Sequence, residues 1–448
     1  MQHSPEAMAH ALLRAAQNAG ADAADAMSRS GVSLSVDVRN GQLEQAERAE
    51  ATDIGLRVFV GKRVAVVSAS DVSDRTIEEM AMRAVAMARE APDDPYAGLA
   101  DPGDLARNWD LEALELADPT PEPSPAEIQE DARRAEAAAR AVDGVSQVQS
   151  ATAGYSNDRV FLAASNGFAG GYARTGRGLS CVAIAGEGTK MERDYDGDSR
   201  IFQSDLRSPE DIGRTAGERT AARIGARKPP TGTYPVLFDE RIAASLLGHL
   251  LAAVNGNAVA RGASFLRDDL GQQILPQGVS VFEDPHRPRA TGSRPFDAEG
   301  LPTQRRAIVE NGILNGWTLD LSSARKLGLR STGNAARGLS SGPSPSNWNV
   351  ELTEGAASRA DLMRDMGTGL LVTSMIGATI NPNTGDYSRG AAGHWVENGE
   401  IVHPVNECTI AGNLRDMLRE IVPANDARRY LSRVVPSLLV PGMTLAGA

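Results

Sequence analysis

The sequence predicts an α+β protein in two domains, made of antiparallel meanders and hairpins with helices packed against them. Runs alternating apolar and polar residues are broken at Asn40-Gly41, Gly61-Lys62, Asn311-Gly312 and Asn398-Gly399, the chemistry of tight hairpins and not of crossover units. Other stretches carry apolar residues at helical spacing. Between the halves, Arg227-Lys-Pro-Pro-Thr-Gly-Thr233 reads as a boundary, because Pro, Gly and polar residues cannot sustain a packed element. The expected domains are residues 1–226, with a Pro-rich acidic connection at 92–125, and residues 234–448.

In chain order, an Ala-rich helix to about Ala19 precedes four strand segments, Ser33–Arg39, Leu43–Arg48, Asp53–Val60 and Arg63–Ser68. Ile77, Met80, Met82, Ala84 and Met87 place a helix over Ser73–Arg89 with an apolar core face. Pro92 to Pro125 reads as a wrapping connection whose acidity is solvated. A helix follows at Ala126–Val142, its acids and arginines spaced for an exposed face. From Val145 to Phe202 period two returns, with turns expected at Ser156-Asn157-Asp158, Ser165-Asn166-Gly167 and Asp196-Gly197-Asp198. Pro209–Ile224 closes the first half as a helix. In the second half a strand at Tyr234–Phe238 leads into a helix at Asp239–Val254, stopped by Asn255-Gly256. Hairpins are expected at Ala307–Thr318 and His394–His403, a short helix at Thr409–Leu418 and a last strand at Leu438–Met443.

Composition narrows the function. The chain has 448 residues, 41% of them hydrophobic, and a net charge of −12, which opposes binding to nucleic acid or an anionic membrane through a basic footprint. Lysine occurs only at positions 62, 190, 228 and 326, and the arginines are scattered. No apolar run approaches the roughly 20 residues that span a bilayer, and the N-terminus has no signal-peptide pattern, so a cytoplasmic chain is expected. Cys181 and Cys408 stand far apart and read as small buried hydrophobes.

Catalytic motifs are scarce. Ile242, Leu246, His249, Leu250 and Ala253 share helical spacing, so His249 sits on or beside an apolar face. A zinc peptidase helix needs a second histidine one turn on and a glutamate beside the first. Here Leu250, Leu251, Ala252, Ala253 and Val254 follow, and His249 reads as a packed side chain. Gly338-Leu-Ser-Ser-Gly342 matches a nucleophile elbow, but Pro343 and Pro345 forbid the helix that must follow Ser340. No phosphate-binding glycine motif is present. His3, His10, His286, His394 and His403 are isolated from one another in sequence.

A peptide-binding stretch is expected at Thr379–Gly390, with Asn381, Asn383, Tyr387, Ser388 and Arg389 as its residues. Asn381-Pro382 and Asn383-Thr-Gly385 signal a tight reversal that leads into a strand. That strand would receive an extended peptide through backbone hydrogen bonds, and Arg389 would take a carboxylate. The alternative is a structural turn whose Asn and Asp side chains satisfy their own backbone.

Phe296-Asp-Ala-Glu-Gly-Leu-Pro-Thr303, Val309-Glu-Asn-Gly-Ile-Leu-Asn-Gly316, Ser331-Thr-Gly-Asn334, Glu397-Asn-Gly-Glu-Ile-Val-His-Pro-Val405 and Thr409-Ile-Ala-Gly-Asn413 together resemble the TldD/PmbA (TldE) peptidase family over nearly the whole chain. In that family the TldD type carries an H-E-x-x-x-H zinc helix and a cysteine ligand near the C-terminus, and the PmbA type lacks them and pairs with TldD. Aligned on Gly262-Ala-Ser264, Leu247, Gly248 and Ala252 occupy the zinc-helix positions here, and Val434–Pro441 has no cysteine. The resemblance therefore implies a zinc-less PmbA/TldE-type subunit with no cofactor of its own. It also implies a TldD-type zinc protease partner in a heterodimer, an enclosed peptide channel, and work in cytoplasmic peptide degradation and maturation. A homodimeric peptidase with a non-zinc site and a non-catalytic peptide-binding or regulatory module are the competing readings.

Overall fold

The computed structural model describes residues 4–447; His3 lies outside them. The first part of the chain runs α1 (Pro5–Asn18), β1 (Ala23–Arg39), β2 (Gln42–Val60), β3 (Arg63–Ala69), α2 (Asp74–Glu90), α3 (Leu111–Leu114), α4 (Pro125–Arg140), β4 (Val145–Ala164), β5 (Ala169–Ala185), β6 (Glu192–Arg200) and α5 (Pro209–Ala221). Ser4, Ser73, Ser124 and Ser208 cap α1, α2, α4 and α5, each side chain accepting from a first-turn N–H. The strands form one antiparallel sheet in the order β3-β2-β1-β4-β5-β6.

These strands are longer than the turn signals predict. Asn157 and Asp158 sit in the middle of β4, paired with Val32 and Gly31 on one side and Thr175 and Arg174 on the other. Two full-length neighbours satisfy the backbone on both edges, and Arg29 holds the Asp158 carboxylate at 2.9 Å, so the turn residues stay extended. Asp196-Gly197-Asp198 likewise lies inside β6 and not at a reversal. Asp196 is buried and accepts from Arg207 and Arg219, each at 2.6 Å, while the chain reverses after β5, where Gly186 and Gly188 take φ of 81° and 59°. The two segments at Leu43–Arg48 and Asp53–Val60 are one strand, β2.

Alternation gives the sheet two different faces. Ala26, Ile54, Leu56 and Val58 pack on α1 and α2, and Val36, Ala153, Leu179 and Cys181 pack beside Ile128, Ala132, Ile212 and Ala216 of α4 and α5. The opposite face meets the second part of the chain. Contact is close at Gly55, where a Cβ would overlap the Leu339 backbone, and at Gly170, where it would strike Phe296 and Trp109.

That second part runs β7 (Gly232–Phe238), α6 (Glu240–Ala253), α7 (Gly256–Ala260), β8 (Val281–Glu283), β9 (Arg306–Glu310), β10 (Ile313–Leu314), α8 (Leu321–Leu327), β11 (Ala335–Ala336), β12 (Ser344–Pro345), β13 (Val350–Leu352) and α9 (Arg359–Met366). It ends in β14 (Gly369–Ile380), β15 (Asp386–Glu397), β16 (Glu400–Asn413), α10 (Leu414–Glu420), β17 (Val422–Pro423), β18 (Arg433–Val434) and β19 (Leu438–Ala446). The main sheet has the order β16-β15-β14-β7-β19-β17, and a further β16–β19 pairing closes five of its strands on themselves. Val236, Phe238, Leu370, Val372, Leu438 and Val440 join Leu246 and Leu250 of α6 in the largest core.

Asn311-Gly312 and Asn398-Gly399 form the expected hairpin turns, both residues of each pair having positive φ. Thr409–Asn413 is a correction: it is the end of β16, paired with both β15 and β19, and the helix starts only at Leu414, capped by Asn413. The ladder on two sides outweighs the helical spacing of the sequence.

Gly55→Ala is expected to cost roughly 1–3 kcal/mol, the usual effect of overpacking a closed contact. Urea denaturation measures it, and an unchanged midpoint would show that the sheet and the Leu339 loop are not held together.

Candidate functional site

The helix α6 and the strand β15 bring His249 and the predicted peptide stretch together. His249 is half-buried and its ring stands edge-on to that of Tyr387, with centroids 5.8 Å apart. Burial, and then the nearby positive charge of Arg389, lowers the pKa of His249 below the usual value, so the ring is neutral at pH 7. Among the described residues its Nε2 is buried without a hydrogen-bond partner, as is Oγ of Ser245 one turn earlier. Tyr387 is 2% exposed, its hydroxyl donates to the sulfur of Met375 at 3.4 Å, and burial pushes its phenol up to about 12. Arg389, on the same side of β15, donates from Nε to the carbonyl of Gly377 at 2.7 Å.

The other residues of the stretch divide by strand alternation and by the turn. Ser388 points away from Tyr387 and Arg389 and is half-buried. Asn381 and Asn383 are exposed in the reversal between β14 and β15, where the Asn381 side chain accepts from the Asn383 N–H at 3.0 Å. The neighbouring backbone holds the reversal closed, Gly385 donating to the Asn381 carbonyl at 2.8 Å.

One edge of this region is open. β14 pairs with β7 only from Leu370 to Val372, because β7 ends at Phe238 where α6 begins. From Ser374 to Ile380 its outer edge has no strand beside it among the described residues, and Ile376 is 78% exposed. Such an edge offers alternate N–H and C=O groups to an extended chain.

The residues do not fit a zinc ion. Among the described residues no group of three or more His, Cys, Asp or Glu side chains is placed to hold a metal. His249 of α6 stands against Tyr387 of β15, and the Arg389 charge beside it opposes a cation. Cys408 donates its thiol to the Ala391 carbonyl, and burial pushes it up to about 11. The remaining histidines are not gathered: His10 lies by Phe161, His286 bonds Thr303, and His403 bonds the Pro404 carbonyl.

The other motif residues build the junction between the two parts of the chain. Phe296 packs edge-on against Trp109, Phe168 and Tyr172. Asp297 accepts from the backbone N–H groups of Glu299, Leu301 and Ala335, and Asn334 donates to Glu283 at 2.9 Å. Beneath them Asp25 of β1 is clamped by Arg57 and Arg337. Burial raises the Asp25 carboxyl, but the two guanidinium charges outweigh it and hold the pKa low. Glu299 and Asp297 have no such clamp, and burial pushes them up to about 8 and about 6. Farther along, a cleft of about 610 Å³ opens between Gly154, Gly178 and Gly197 on the sheet and Arg241, Arg428 and Tyr430 opposite.

Known proteins resemble this chain along most of its length. Sequence profiles of the PmbA/TldA metallopeptidase domain 1, central domain and C-terminal domain match residues 24–88, 118–224 and 231–447. Metalloprotease PmbA of Escherichia coli O157:H7 is 41% identical over 418 residues, covering 92% of this chain and 90% of that protein. The chain belongs to the PmbA/TldD metallopeptidase family. The PmbA homolog of Haemophilus influenzae is 37% identical over 96% of this chain and 94% of its own. Among solved structures, a candidate DNA gyrase modulator from Bacteroides thetaiotaomicron superposes with a TM-score of 0.91 at 27% identity, covering 98% of both chains. TldE from Thermococcus kodakarensis shares the fold at a TM-score of 0.86 and 21% identity, over 98% of this chain and all of its own.

Sequence reading missed the Asp25–Arg57–Arg337 clamp, whose members lie 32 and 312 positions apart; the family motif around Asp297 was the one signal near it. Since the folded chain keeps a proton on Glu299 that the unfolded chain releases, this contribution to stability is full below about pH 4.3 and fades as pH rises toward about 8. Glu299→Gln should flatten the fall in thermal midpoint over that window, and an equally steep fall in the variant would exclude Glu299 as its source.

Proposed function

We propose that this chain is the zinc-less, PmbA/TldE-type subunit of a heterodimeric metalloprotease, forming part of the peptide chamber while a TldD-type partner holds the zinc and performs hydrolysis. The observation that carries the reading is α6, which presents one neutral, unpartnered imidazole beside an arginine where hydrolysis would need three ligands and a base. The open edge of β14 next to it supports a role in holding extended peptide, since backbone hydrogen bonds give affinity without side-chain preference. Nε of Arg389 is engaged by the Gly377 carbonyl, and its guanidinium, beside Tyr387, is the group that would take a peptide carboxylate. Asn381 and Asn383 shape the reversal at the end of this edge, and Ser388 lies on its far side.

The purified, untagged chain is expected to hold well under one zinc per chain by elemental analysis; near-stoichiometric zinc would sink the assignment.

Peptide turnover is expected only when the chain is mixed with a TldD-type partner, with both proteins in one peak on size exclusion. Tyr387→Ala and Arg389→Ala should lower that turnover while leaving the complex assembled. Hydrolysis by this chain alone would favour the homodimeric peptidase, and unchanged turnover in both variants would leave the stretch as a turn and no more.

A further inference from the structure

A second site lies at the junction, away from α6. Between the open face of the sheet and the segments around Phe296 and Ala336 is a cavity of about 90 Å³. Its wall is apolar at Met27, Leu162, Phe296 and Trp348, and two arginines, Arg294 and Arg337, enter it. The Arg337 side chain is 0% exposed; one terminal nitrogen is taken by Asp25, and the other, Nη2, is buried with no partner among the described residues. Arg294 bonds the Tyr172 hydroxyl at 2.7 Å and stacks over Trp348 at 4.9 Å, and its Nε is also buried without a partner. Two unsatisfied guanidinium N–H groups on side chains that line one small space are costly unless something accepts from them.

The charge around this space is unbalanced. Neither Arg294 nor its neighbour Arg174 has a carboxylate within ion-pair distance among the described residues, and Arg174 spends its nitrogens on the carbonyls of Thr291 and Ser293. Burial, and then the charge of Arg294, lowers Arg174 to about 10. Asp297 also lines the cavity, but both its oxygens accept from backbone N–H groups of its own loop and of Ala335. Asp25 is already shared by Arg57 and Arg337.

We propose that this cavity binds a small monocarboxylate, its oxygens accepting from Arg337 Nη2 and Arg294 Nε and its short apolar tail lying against Phe296 and Trp348. The volume equals about three water molecules, which suits a carboxylate head with one or two carbons. A phosphate dianion would add a charge that Asp25 and Asp297 oppose. The carboxylate comes either free in solution or from the C-terminus of a peptide, and the recognition chemistry is the same.

Trp348 forms part of the wall, so tryptophan fluorescence reads occupancy. Titration of the full chain with propionate at constant ionic strength should give a saturable change that propionamide does not produce. Arg294→Met should weaken propionate about tenfold, the loss expected for one charge-assisted hydrogen bond, with far-UV circular dichroism unchanged. Ala336→Leu, which fills the cavity and removes no charge, should abolish the titration and serves where Arg294→Met does not fold. Displacement of propionate by Ala-Ala but not by Ala-Ala amide would assign the site to peptide C-termini; absence of displacement by both, with propionate still saturating, would assign it to free carboxylates. Equal responses to propionate and propionamide, or either variant titrating like the parent chain, would overturn the proposal.

Discussion

The clamp of Asp25 between Arg57 and Arg337 ties the two parts of this molecule together where its three large apolar cores do not reach. Each large core belongs to one part of the chain: α1, α2 and the sheet, α4, α5 and the sheet, or α6 and the closed strands. Where the parts meet, the sheet presents Asp25 and Arg57 from neighbouring strands, and Arg337 arrives from the other part with its side chain 0% exposed. A buried carboxylate with two guanidinium partners is stable only when all three are present, and removing one partner of such a set commonly costs about 3–5 kcal/mol. The contact is thereby selective as well as adhesive. It fixes where the Phe296 and Ala336 segments lie on the sheet, and with them the aromatic cluster and the small cavity beside it.

The clamp also explains why the conspicuous motif residues are not the chemistry. Asp297 and Glu299 are buried carboxyls with raised pKa, a pattern often found in acid–base sites. Here their oxygens accept from backbone N–H groups of Glu299, Leu301, Ala335 and Leu321. They brace loops that carry Arg337 and α8. Asn334 does the same for Glu283. Function is better sought where polar groups lack partners or backbone lacks a neighbour, as at His249, along β14 beyond Val372, and around Arg294.

The helix α6 takes its shape from its cap and its buried side. Asp239 caps it, and Leu246 and Leu250 bury it against the sheet strands. That packing does not need zinc. It needs only apolar residues at helical spacing on the buried side, which leaves the turned-out positions free to carry ligands or to lose them.

Hairpin turns, capped helices and the α+β class were legible because each rests on neighbours in sequence: Asn-Gly at positive φ, serine at a helix start, apolar residues at period two or 3.6. The helix α6 was legible for the same reason. The signals failed at Ser156–Asp158 and Thr409–Asn413, where strands on both sides supplied backbone partners that local preference could not foresee, and at Asp196–Asp198, where β5 on one side and two distant arginines on Asp196 did so. Only the tertiary structure set His249 against Tyr387 and Arg389, left the edge of β14 open, and drew Asp25 to an arginine 312 positions away. Those arrangements depend on which strand lies beside which. Pairing is settled by the burial of whole faces and the satisfaction of distant charges, terms that no short stretch of the chain contains.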